Sequence, residues 1–481
     1  KVCKMRKTKI VCTLGPSSNN EETIKKMLLS GMNVARVNFS HGTHEQHHKT
    51  IETFRKVRDK LDMPAAVMLD TKGPEIRLKD FVNGKEFLED GQEFTLTSRD
   101  VEGTSSIVAT TYERLPNMVR EGDKILIDDG MIVLSVISKT ETDILTRVVH
   151  GGNVSNHKGV NIPNVDLGME YIGEQDRSDI LFGIEEDVDY IAASFVRMQE
   201  DVEELRKLLN DNGGKDIKII AKIESAQGVD NFEHILPKVD GIMIARGDMG
   251  VELAFERLPG IQKRIIKRCL ESGKIAITAT QMLESMVENP VPTRAEITDV
   301  ANAVYDGTSA VMLSGETAAG KYPVEAVEVM AKVAEQAEAD NETNYHEDRV
   351  WHEMNKRDVT NAVAHAACTL AEDINAAGIM AATNSGYTAS RMSKFRPAKM
   401  IIGATPYIKA YHQMAMMWGV VPIKANYSAE VEELFDWFAS EAVRSGLVEE
   451  GSKLVVTAGL PVEKGSKSNM VRVIAAHQDY K

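Results

Sequence analysis

The stretch from residue 217 to residue 252 constrains the fold more than any other, because it contains two short apolar runs separated by a helical pattern. The runs, residues 217–223 and 242–245, are rich in β-branched residues and precede turn-forming residues, which is typical of buried strands. The segment near residues 229–239 has the spacing of a helix. A strand, a helix and a second strand in this order form the unit from which parallel sheets are built.

The same alternation recurs along the chain and predicts eight strands. They occupy residues 9–14, 34–40, 65–71, 190–196, 217–223, 242–245, 275–280 and 310–314. Eight strands alternating with helices are what a (β/α)₈ TIM barrel requires, and a doubly wound open sheet is the structural alternative. Polar residues follow these strands, which favours the barrel, because a barrel brings all eight carboxyl ends to one mouth.

Changes of pattern divide the chain into four segments. Residues 73–168 lack a long helical period and show short alternating runs between turn residues, which predicts an inserted small β-barrel domain that could act as a lid. The barrel then comprises residues 1–72 and 169–340. A polar, charged stretch and a new α/β pattern follow, so residues 341–481 are predicted to form a C-terminal αβα domain.

Composition and charge exclude several classes of protein. The net charge of −15 argues against sequence-independent nucleic-acid binding, and no apolar run approaches the roughly 20 residues needed to span a bilayer. No signal peptide is visible. The four cysteines form no C-x-x-C pair, which argues against a zinc site or a disulfide framework. We therefore expect a cytoplasmic protein with no nucleic-acid or membrane partner.

Charged residues after the fifth and sixth strands form a candidate metal site. Side chains alternate along a strand, so Lys222 and Glu224 point to the same side, and Asp248 follows the next strand. Two such carboxylates can hold a hard divalent cation, and a lysine beside them suits phosphoryl transfer or an enolate, where negative charge must be offset. A Lys–Glu pair on a solvated strand end, with Asp248 capping a helix, explains these residues equally well.

A second polar set follows the second and third strands. Arg36, Asn38 and Ser40 alternate, so they face one way, and Asp70 and Thr71 end the next strand. A guanidinium suits a phosphate, whereas neutral oxygens suit a weakly hydrated monovalent cation. A hydrogen-bonded strand terminus would explain any one of these residues but not the whole set.

Eight segments resemble the pyruvate kinase family and occur in that family's order. They are CTLGPSS (12–18), ARVNFSHG (35–42), LDTKGPEIR (69–77), AASFVR (192–197), AKIES (221–225), ARGDMGVE (245–252), TATQMLESM (278–286) and MLSGETAAGKYP (312–323). The resemblance covers essentially the whole chain, and the combination is very specific even though no single segment is.

The resemblance implies a phosphotransferase of glycolysis (EC 2.7.1.40). Such an enzyme transfers the phosphoryl group of phosphoenolpyruvate to ADP, giving pyruvate and ATP through an enolate stabilised by Mg²⁺. By similarity, the catalytic residues are Lys222, Thr280 and Arg36. The other implied sites are substrate contacts at Arg36, Lys222, Gly247, Asp248 and Thr280; nucleotide contacts at Pro16, Arg36, Asn38, His41 and Arg77; Mg²⁺ ligands at Glu224 and Asp248; and K⁺ ligands at Asn38, Ser40, Asp70 and Thr71.

One position departs from the family pattern. The family often has a lysine that reaches the nucleotide phosphates before the fourth strand, and this chain has Gln175 there. The chain also stops soon after its last predicted strand, so we expect the extra carboxy-terminal domain of some bacterial members to be absent.

The carboxy-terminal segment resembles the family's effector domain. Thr383, Ser385, Gly386 and Thr388 follow a predicted strand and open a helix, so their hydroxyls and backbone N–H groups form a candidate site for a phosphorylated allosteric effector. An ordinary strand–helix turn with capping hydroxyls is the alternative. The resemblance further implies a homotetramer.

Two other functions fit parts of the pattern. A Mg²⁺-dependent barrel aldolase or lyase would use Glu224 and Asp248 on an enolate, but it leaves the second polar set, the insertion and the third domain unexplained. A catalytically silent metabolite sensor on the same fold would not need Lys222 and Thr280. Formation of pyruvate from phosphoenolpyruvate and ADP distinguishes both from a pyruvate kinase.

Overall fold

The structure is a computed structural model and describes residues 6–163, 165, 167–341, 358–425, 431–459 and 467–477. The strands are β1 (Lys9–Thr13), β2 (Val34–Asn38), β3 (Ala66–Asp70), β4 (Ile76–Arg77), β5 (Lys85–Leu88), β6 (Glu93–Thr97), β7 (Ile107–Ala109), β8 (Lys124–Ile127), β9 (Ile132–Lys139), β10 (Asp143–His150), β11 (Gly152–Ser155), β12 (Gly159–Asn161), β13 (Tyr190–Ala193), β14 (Lys218–Ile223), β15 (Gly241–Ala245), β16 (Ile275–Ala279), β17 (Ala310–Leu313), β18 (Gly378–Ala382), β19 (Met400–Thr405), β20 (Val420–Lys424), β21 (Lys453–Ala458) and β22 (Met470–Ala475).

The α-helices are α1 (Glu21–Ser30), α2 (His44–Lys60), α3 (Leu115–Met118), α4 (Glu174–Glu185), α5 (Gln199–Asp211), α6 (Ala226–Asp230), α7 (Phe232–Ile235), α8 (Arg246–Glu252), α9 (Leu258–Ser272), α10 (Arg294–Tyr305), α11 (Gly315–Ala318), α12 (Pro323–Asn341), α13 (Val359–Asp373), α14 (Tyr387–Lys394), α15 (Ile408–Gln413) and α16 (Val431–Arg444). Short 3₁₀ helices lie at Leu236–Lys238, Phe255–Arg257, Glu284–Val287 and Met414–Met416. None of the helices described here is long and apolar enough to cross a membrane.

Eight parallel strands close into a barrel, in the order β1, β17, β16, β15, β14, β13, β3, β2. All their residues are buried except Asn38 and Lys218, at the end of β2 and the start of β14, because alternate side chains face the barrel interior and the surrounding helices. In β1, Val11 lies in the interior cluster, whereas Ile10 and Cys12 pack in the cluster shared with the helices. The predicted (β/α)₈ barrel is therefore confirmed, and the open-sheet alternative is wrong.

A small second barrel is inserted between β3 and β13. Its sheet has the order β4, β12, β8, β9, β10, β6, β7 and its own hydrophobic core. Leu78 and Thr110, which directly follow β4 and β7, form an antiparallel bridge. That bridge joins the two outer strands and closes the sheet, as the predicted β-barrel insertion requires.

The carboxy-terminal part is a sheet covered by helices on both faces. The strand order is β20, β19, β18, β21, β22, and only β22 runs antiparallel to its neighbour among these strands. Helices α13 and α14 pack on one face and α16 packs on the other, each through a separate apolar cluster. This arrangement confirms the predicted αβα domain.

The carboxy-terminal domain covers the amino-terminal end of the barrel strands. Met416 is fully buried and belongs to the cluster that fills the barrel interior. Around it, Lys9 Nζ donates a hydrogen bond to the carbonyl oxygen of Val420 at 2.8 Å, and the Tyr190 hydroxyl donates to that of Gln413 at 2.6 Å. The open mouth of the barrel is therefore the opposite end, where the carboxyl ends of the strands meet.

The helix predicted near residues 229–239 is broken into pieces. Helix α6 ends at Asp230, α7 begins at Phe232, and the segment finishes as the 3₁₀ helix Leu236–Lys238. Asn231 serves as C-cap of α6 and N-cap of α7, and Pro237 prevents a regular helix from continuing. The apolar spacing of this segment is that of a helix, but Asn231 and Pro237 interrupt it.

Candidate active site

Lys222 lies at the centre of a buried polar cluster at the mouth of the barrel. Its Nζ atom is 3.0 Å from Asp70 Oδ1, 3.1 Å from Glu224 Oε1 and 2.7 Å from Ser194 Oγ. Burial alone would lower the pKa of Lys222, but the two carboxylates outweigh it and raise that pKa well above its usual range. Lys222 is therefore a fixed positive charge.

Asp70 joins Lys222 to Arg36. Its side chain is fully buried, and Oδ2 accepts a hydrogen bond from Arg36 Nε at 2.6 Å. Arg36 also donates to Thr13 Oγ1 at 2.9 Å. Burial favours the neutral acid, but Arg36 and Lys222 outweigh it and hold the pKa of Asp70 below its ordinary value. This carboxylate is thus ionised and paired with two cations.

Glu224 and Asp248 form a pair of carboxylates beside the lysine. Glu224 is 1% exposed and its Oε2 accepts a hydrogen bond from the backbone N–H of Phe195 at 2.6 Å. Burial, followed by the negative charges of Asp248 and Asp70, raises the pKa of Glu224 to about 7 although Lys222 opposes the shift. A bound cation would offset that excess of negative charge, so these two side chains can serve as metal ligands.

No group of three or more His, Cys, Asp or Glu side chains within the described ranges could hold a metal ion. Two carboxylates alone fit Mg²⁺, which keeps several waters and commonly binds one or two protein carboxylates together with substrate phosphates. They do not fit a zinc site, which needs three or four protein ligands.

Thr280 follows β16 in a strained backbone conformation, with φ = +67°. A β-branched residue rarely adopts a positive φ, and such strain is often found at functional sites. Its Oγ1 accepts a hydrogen bond from the backbone N–H of Gly247 at 2.9 Å. Arg246, which pairs with Asp299 at 2.7 Å, donates to the Thr280 carbonyl oxygen at 2.6 Å. These contacts fix Thr280 next to the turn that contains Asp248.

The second polar set also assembles at the mouth. Asn38 and Asp70 are register partners on the neighbouring strands β2 and β3. The Asn38 Oδ1 atom accepts a hydrogen bond from the backbone N–H of Ser40 at 3.2 Å. Thr71 is buried, and its Oγ1 accepts one from the backbone N–H of Ser194 at 3.1 Å. The predicted amide, hydroxyl and carboxylate side chains therefore lie at the carboxyl ends of the neighbouring strands β2 and β3.

Three of the predicted nucleotide residues, Pro16, His41 and Arg77, lie towards the surface, whereas Arg36 is buried. Pro16 and His41 are exposed in the turns that follow β1 and β2. Arg77, at the start of the insertion, pairs with Glu75 Oε2 through Nη2 at 2.6 Å, and its Nη1 donates to the carbonyl oxygen of His157 at 2.9 Å. Arg77 thus has protein partners and would need to exchange one of them to contact a phosphate.

Gln175, the departure from the family pattern, lies in the first turn of α4. Its Nε2 donates to Asp179 Oδ1 at 2.8 Å, and the same oxygen is 2.6 Å from His44 Nε2. Gln175 is exposed, and its side chain is bonded to Asp179 of its own helix, which in turn contacts His44 of α2.

The candidate effector loop joins β18 to α14. Thr388 Oγ1 is 2.6 Å from Ser468 Oγ and both residues are buried, whereas Ser385 is exposed. Gly386 has φ = +79°, and a Cβ there would lie 2.9 Å from Met414 Cγ. Glycine is therefore required by both conformation and packing, and Ser385 is the accessible hydroxyl.

Several residues of the site were not assigned from the sequence. Ser194, Thr13, Phe195 and Arg246 each contact a predicted site residue. Thr13 ends a strand, and Ser194 and Arg246 each directly follow one, so position at a strand end was an available signal for these three. Phe195 acts through its backbone N–H, which residue type does not reveal.

Comparisons with known proteins agree with this geometry. Residues 5–327 match the family model of the pyruvate kinase barrel domain, and residues 361–474 match that of the pyruvate kinase alpha/beta domain. The chain belongs to the pyruvate kinase family. This membership confirms the predicted activity, in which a phosphotransferase of glycolysis converts phosphoenolpyruvate and ADP to pyruvate and ATP, and the family uses a divalent metal ion.

Individual pyruvate kinases are similar over almost the whole chain. That of Clostridium acetobutylicum is 45% identical over 98% of this chain and 99% of its own length. That of Staphylococcus haemolyticus is 46% identical over 98% of this chain and 80% of its own length. A crystal structure of a Cryptosporidium parvum pyruvate kinase is 38% identical, with a TM-score of 0.91 over 98% of this chain and 96% of that one.

Proposed function

We propose that the cluster of Lys222, Glu224 and Asp248 carries the phosphoryl transfer. The phosphorus–oxygen bond to the enol oxygen breaks, an oxygen of the ADP β-phosphate bonds to phosphorus, and carbon 3 of the enolate takes up one proton. Lys222 supports this role best, because its ammonium is ionised, buried and next to Glu224, which together with Asp248 suits a cation. Such a fixed charge stabilises negative charge on the group in flight.

Mg²⁺ is the divalent ion that we propose for Glu224 and Asp248. When bound, it supplies positive charge that offsets the charge of the phosphoryl group and of the enolate oxygen. The hydrogen bond from the Phe195 N–H orients Glu224. The hydrogen bond from the Gly247 N–H to Thr280 Oγ1 holds the first turn of α8, which contains Asp248, the second proposed ligand.

K⁺ is the second ion that we propose, with Asn38, Ser40, Asp70 and Thr71 as ligands. Most of these oxygens are neutral, which suits a large monovalent ion better than Mg²⁺. The charge of Asp70 is shared with Arg36 and Lys222, so a doubly charged ion would be attracted less strongly here than at Glu224.

The remaining site residues border the reacting groups in this proposal. Arg36 and Lys222 contact the phosphoryl group, Gly247 and Asp248 the rest of the substrate, and Thr280 borders the enolate on the proton route. The nucleotide contacts are Pro16, Arg36, Asn38, His41 and Arg77.

We also propose the domain boundaries 1–72, 73–168, 169–340 and 341–481, a cytoplasmic location and a homotetramer. Among the described residues β22 is the outer strand of its sheet, and its Val473 is 44% exposed; this supports one subunit interface, because an edge strand can add a strand from a second copy. A phosphorylated effector would bind Thr383, Ser385, Gly386 and Thr388, and the exposed Ser385 hydroxyl supports this assignment.

The metal assignment is tested by titrating Mg²⁺ against Glu224→Gln and Asp248→Asn. Each change removes a charged oxygen ligand, so we expect half-maximal activation to need at least about 10-fold more Mg²⁺. Asp179→Asn is the matched control, because Asp179 is as buried as Glu224 but bonds to His44 and Gln175 instead. Activation curves of both site variants that match the control would contradict the assignment.

A further inference from the structure

Ser194 lies between two of the groups to which we assign functions. It is 1% exposed, and its Oγ accepts a hydrogen bond from Lys222 Nζ at 2.7 Å and donates one to the Thr71 carbonyl oxygen at 2.6 Å. A hydroxyl has one hydrogen and two lone pairs, so both contacts are satisfied at once. Asp70 Oδ1 is a further neighbour, at 3.2 Å.

Ser194 is the uncharged member of the three acceptors around Lys222. An ammonium has three hydrogens, and here they meet Asp70 Oδ1, Glu224 Oε1 and Ser194 Oγ. Hydrogen bonds from an ammonium to carboxylates are stronger than those to a neutral hydroxyl. An anionic substrate oxygen that approaches Lys222 therefore replaces Ser194 more easily than either carboxylate.

The backbone around Ser194 is held as tightly as its side chain. The backbone N–H of Ser194 donates to Thr71 Oγ1 at 3.1 Å, and a Cβ on Gly73 would lie 2.8 Å from Ser194 Cβ. Phe195 has φ = +50°, an uncommon conformation that directs its N–H to Glu224 Oε2. This turn therefore directs the Ser194 hydroxyl to Lys222 and the Phe195 backbone N–H to Glu224.

We propose that Ser194 is a positioning residue for phosphoryl transfer that acts through Lys222. In the free site its hydroxyl accepts one ammonium hydrogen of Lys222 and so holds the ammonium between Asp70 and Glu224. When substrate binds, an oxygen of the transferred phosphoryl group replaces Ser194 as the acceptor of that ammonium hydrogen. The proposal rests on the proposed role of Lys222.

The first test is Ser194→Ala, which removes the neutral acceptor and leaves both carboxylates. Without the hydroxyl, nothing holds the third ammonium hydrogen of Lys222 towards the phosphoryl oxygen. The hydrogen bond from Lys222 to that oxygen is then misaligned, and since it joins charged groups, we expect kcat to fall about 10- to 100-fold. The KM for phosphoenolpyruvate should change little, since the ammonium remains in the site. Ser309→Ala is the matched control, because Ser309 is also buried but lies at the opposite end of the barrel, and its kcat should be that of wild type.

The second test separates positioning from a general structural role. In a Lys222→Met background there is no ammonium to position, so adding Ser194→Ala should change kcat by less than about 2-fold. If Ser194 had only a structural role, Ser194→Ala would lower kcat by the same factor in the Lys222→Met background as in wild type.

The outcomes are distinguishable. If Lys222→Met itself keeps kcat within tenfold of wild type, the proposed role of Lys222 is wrong. If Lys222→Met loses turnover and Ser194→Ala does not, or if the two losses multiply, only the inference about Ser194 is overturned.

Discussion

Replacing Met416 with alanine tests how the carboxy-terminal domain closes the barrel. Met416 is fully buried in the cluster that fills the barrel interior, together with Tyr190 and Met243. Its neighbours are strand residues of a closed barrel, which cannot move together to fill the space that the shorter side chain leaves.

The size of the effect follows from that rigidity. Buried methionine-to-alanine changes cost about 2–5 kcal/mol, and the cost rises with the volume of the cavity that remains. We expect Met416→Ala to lie in the upper half of that range. Met416→Leu, which conserves volume, should cost less than about 1.5 kcal/mol.

Urea unfolding followed by circular dichroism measures the effect. The matched control is Met131→Ala, because Met131 is 73% exposed in the inserted domain. Turnover below the unfolding transition should be unchanged in all three variants, since Met416 lies at the end of the barrel opposite Lys222. A Met416→Ala midpoint equal to that of Met131→Ala would refute the packing described here.

Two further predictions concern ions and effectors. With K⁺ replaced by tetramethylammonium at fixed ionic strength, wild type should lose most of its activity. Glu75→Lys should lose proportionately less, because a lysine ammonium can replace the positive charge of the ion. Glu75→Gln controls for the lost pairing with Arg77 and should stay K⁺-dependent, whereas full wild-type activity without K⁺ would refute the requirement for that ion. Sugar phosphates or nucleoside monophosphates should raise the apparent affinity of wild type for phosphoenolpyruvate but not that of Ser385→Glu, which adds negative charge to the loop. Ser445→Glu, an exposed change elsewhere in the domain, should respond as wild type does, and an unaltered response of Ser385→Glu would locate the effector site elsewhere.

The strands could be predicted from the sequence because a barrel strand is buried on both faces. This burial gives short continuous apolar runs such as that of β17, and such runs need no knowledge of neighbouring strands. The segment around Asn231 was harder, because its apolar spacing matched a helix while its capping residue and Pro237 ended one.

Contacts between particular side chains of the candidate site could be predicted only where the residues lie on one strand or directly after it. The contact between Lys222 and Glu224 follows from alternation along β14. The contacts of Asp70 with Lys222 and Arg36 join side chains from β2, β3 and β14, so they depend on strand order and register. The contact between Ser194 and Lys222 depends in the same way on the register of β13 and β14.

Turnover of Lys222→Met tests the central claim most directly. Pyruvate formation from phosphoenolpyruvate and ADP, coupled to lactate dehydrogenase, gives kcat, and equilibrium titration gives the affinity for phosphoenolpyruvate. Lys218→Met is the matched control, because Lys218 lies on the same strand at the opposite end of the barrel. We predict that Lys222→Met lowers kcat by about 10²–10³-fold with little loss of binding, while Lys218→Met keeps its turnover. A Lys222→Met enzyme within tenfold of wild-type kcat would contradict the account.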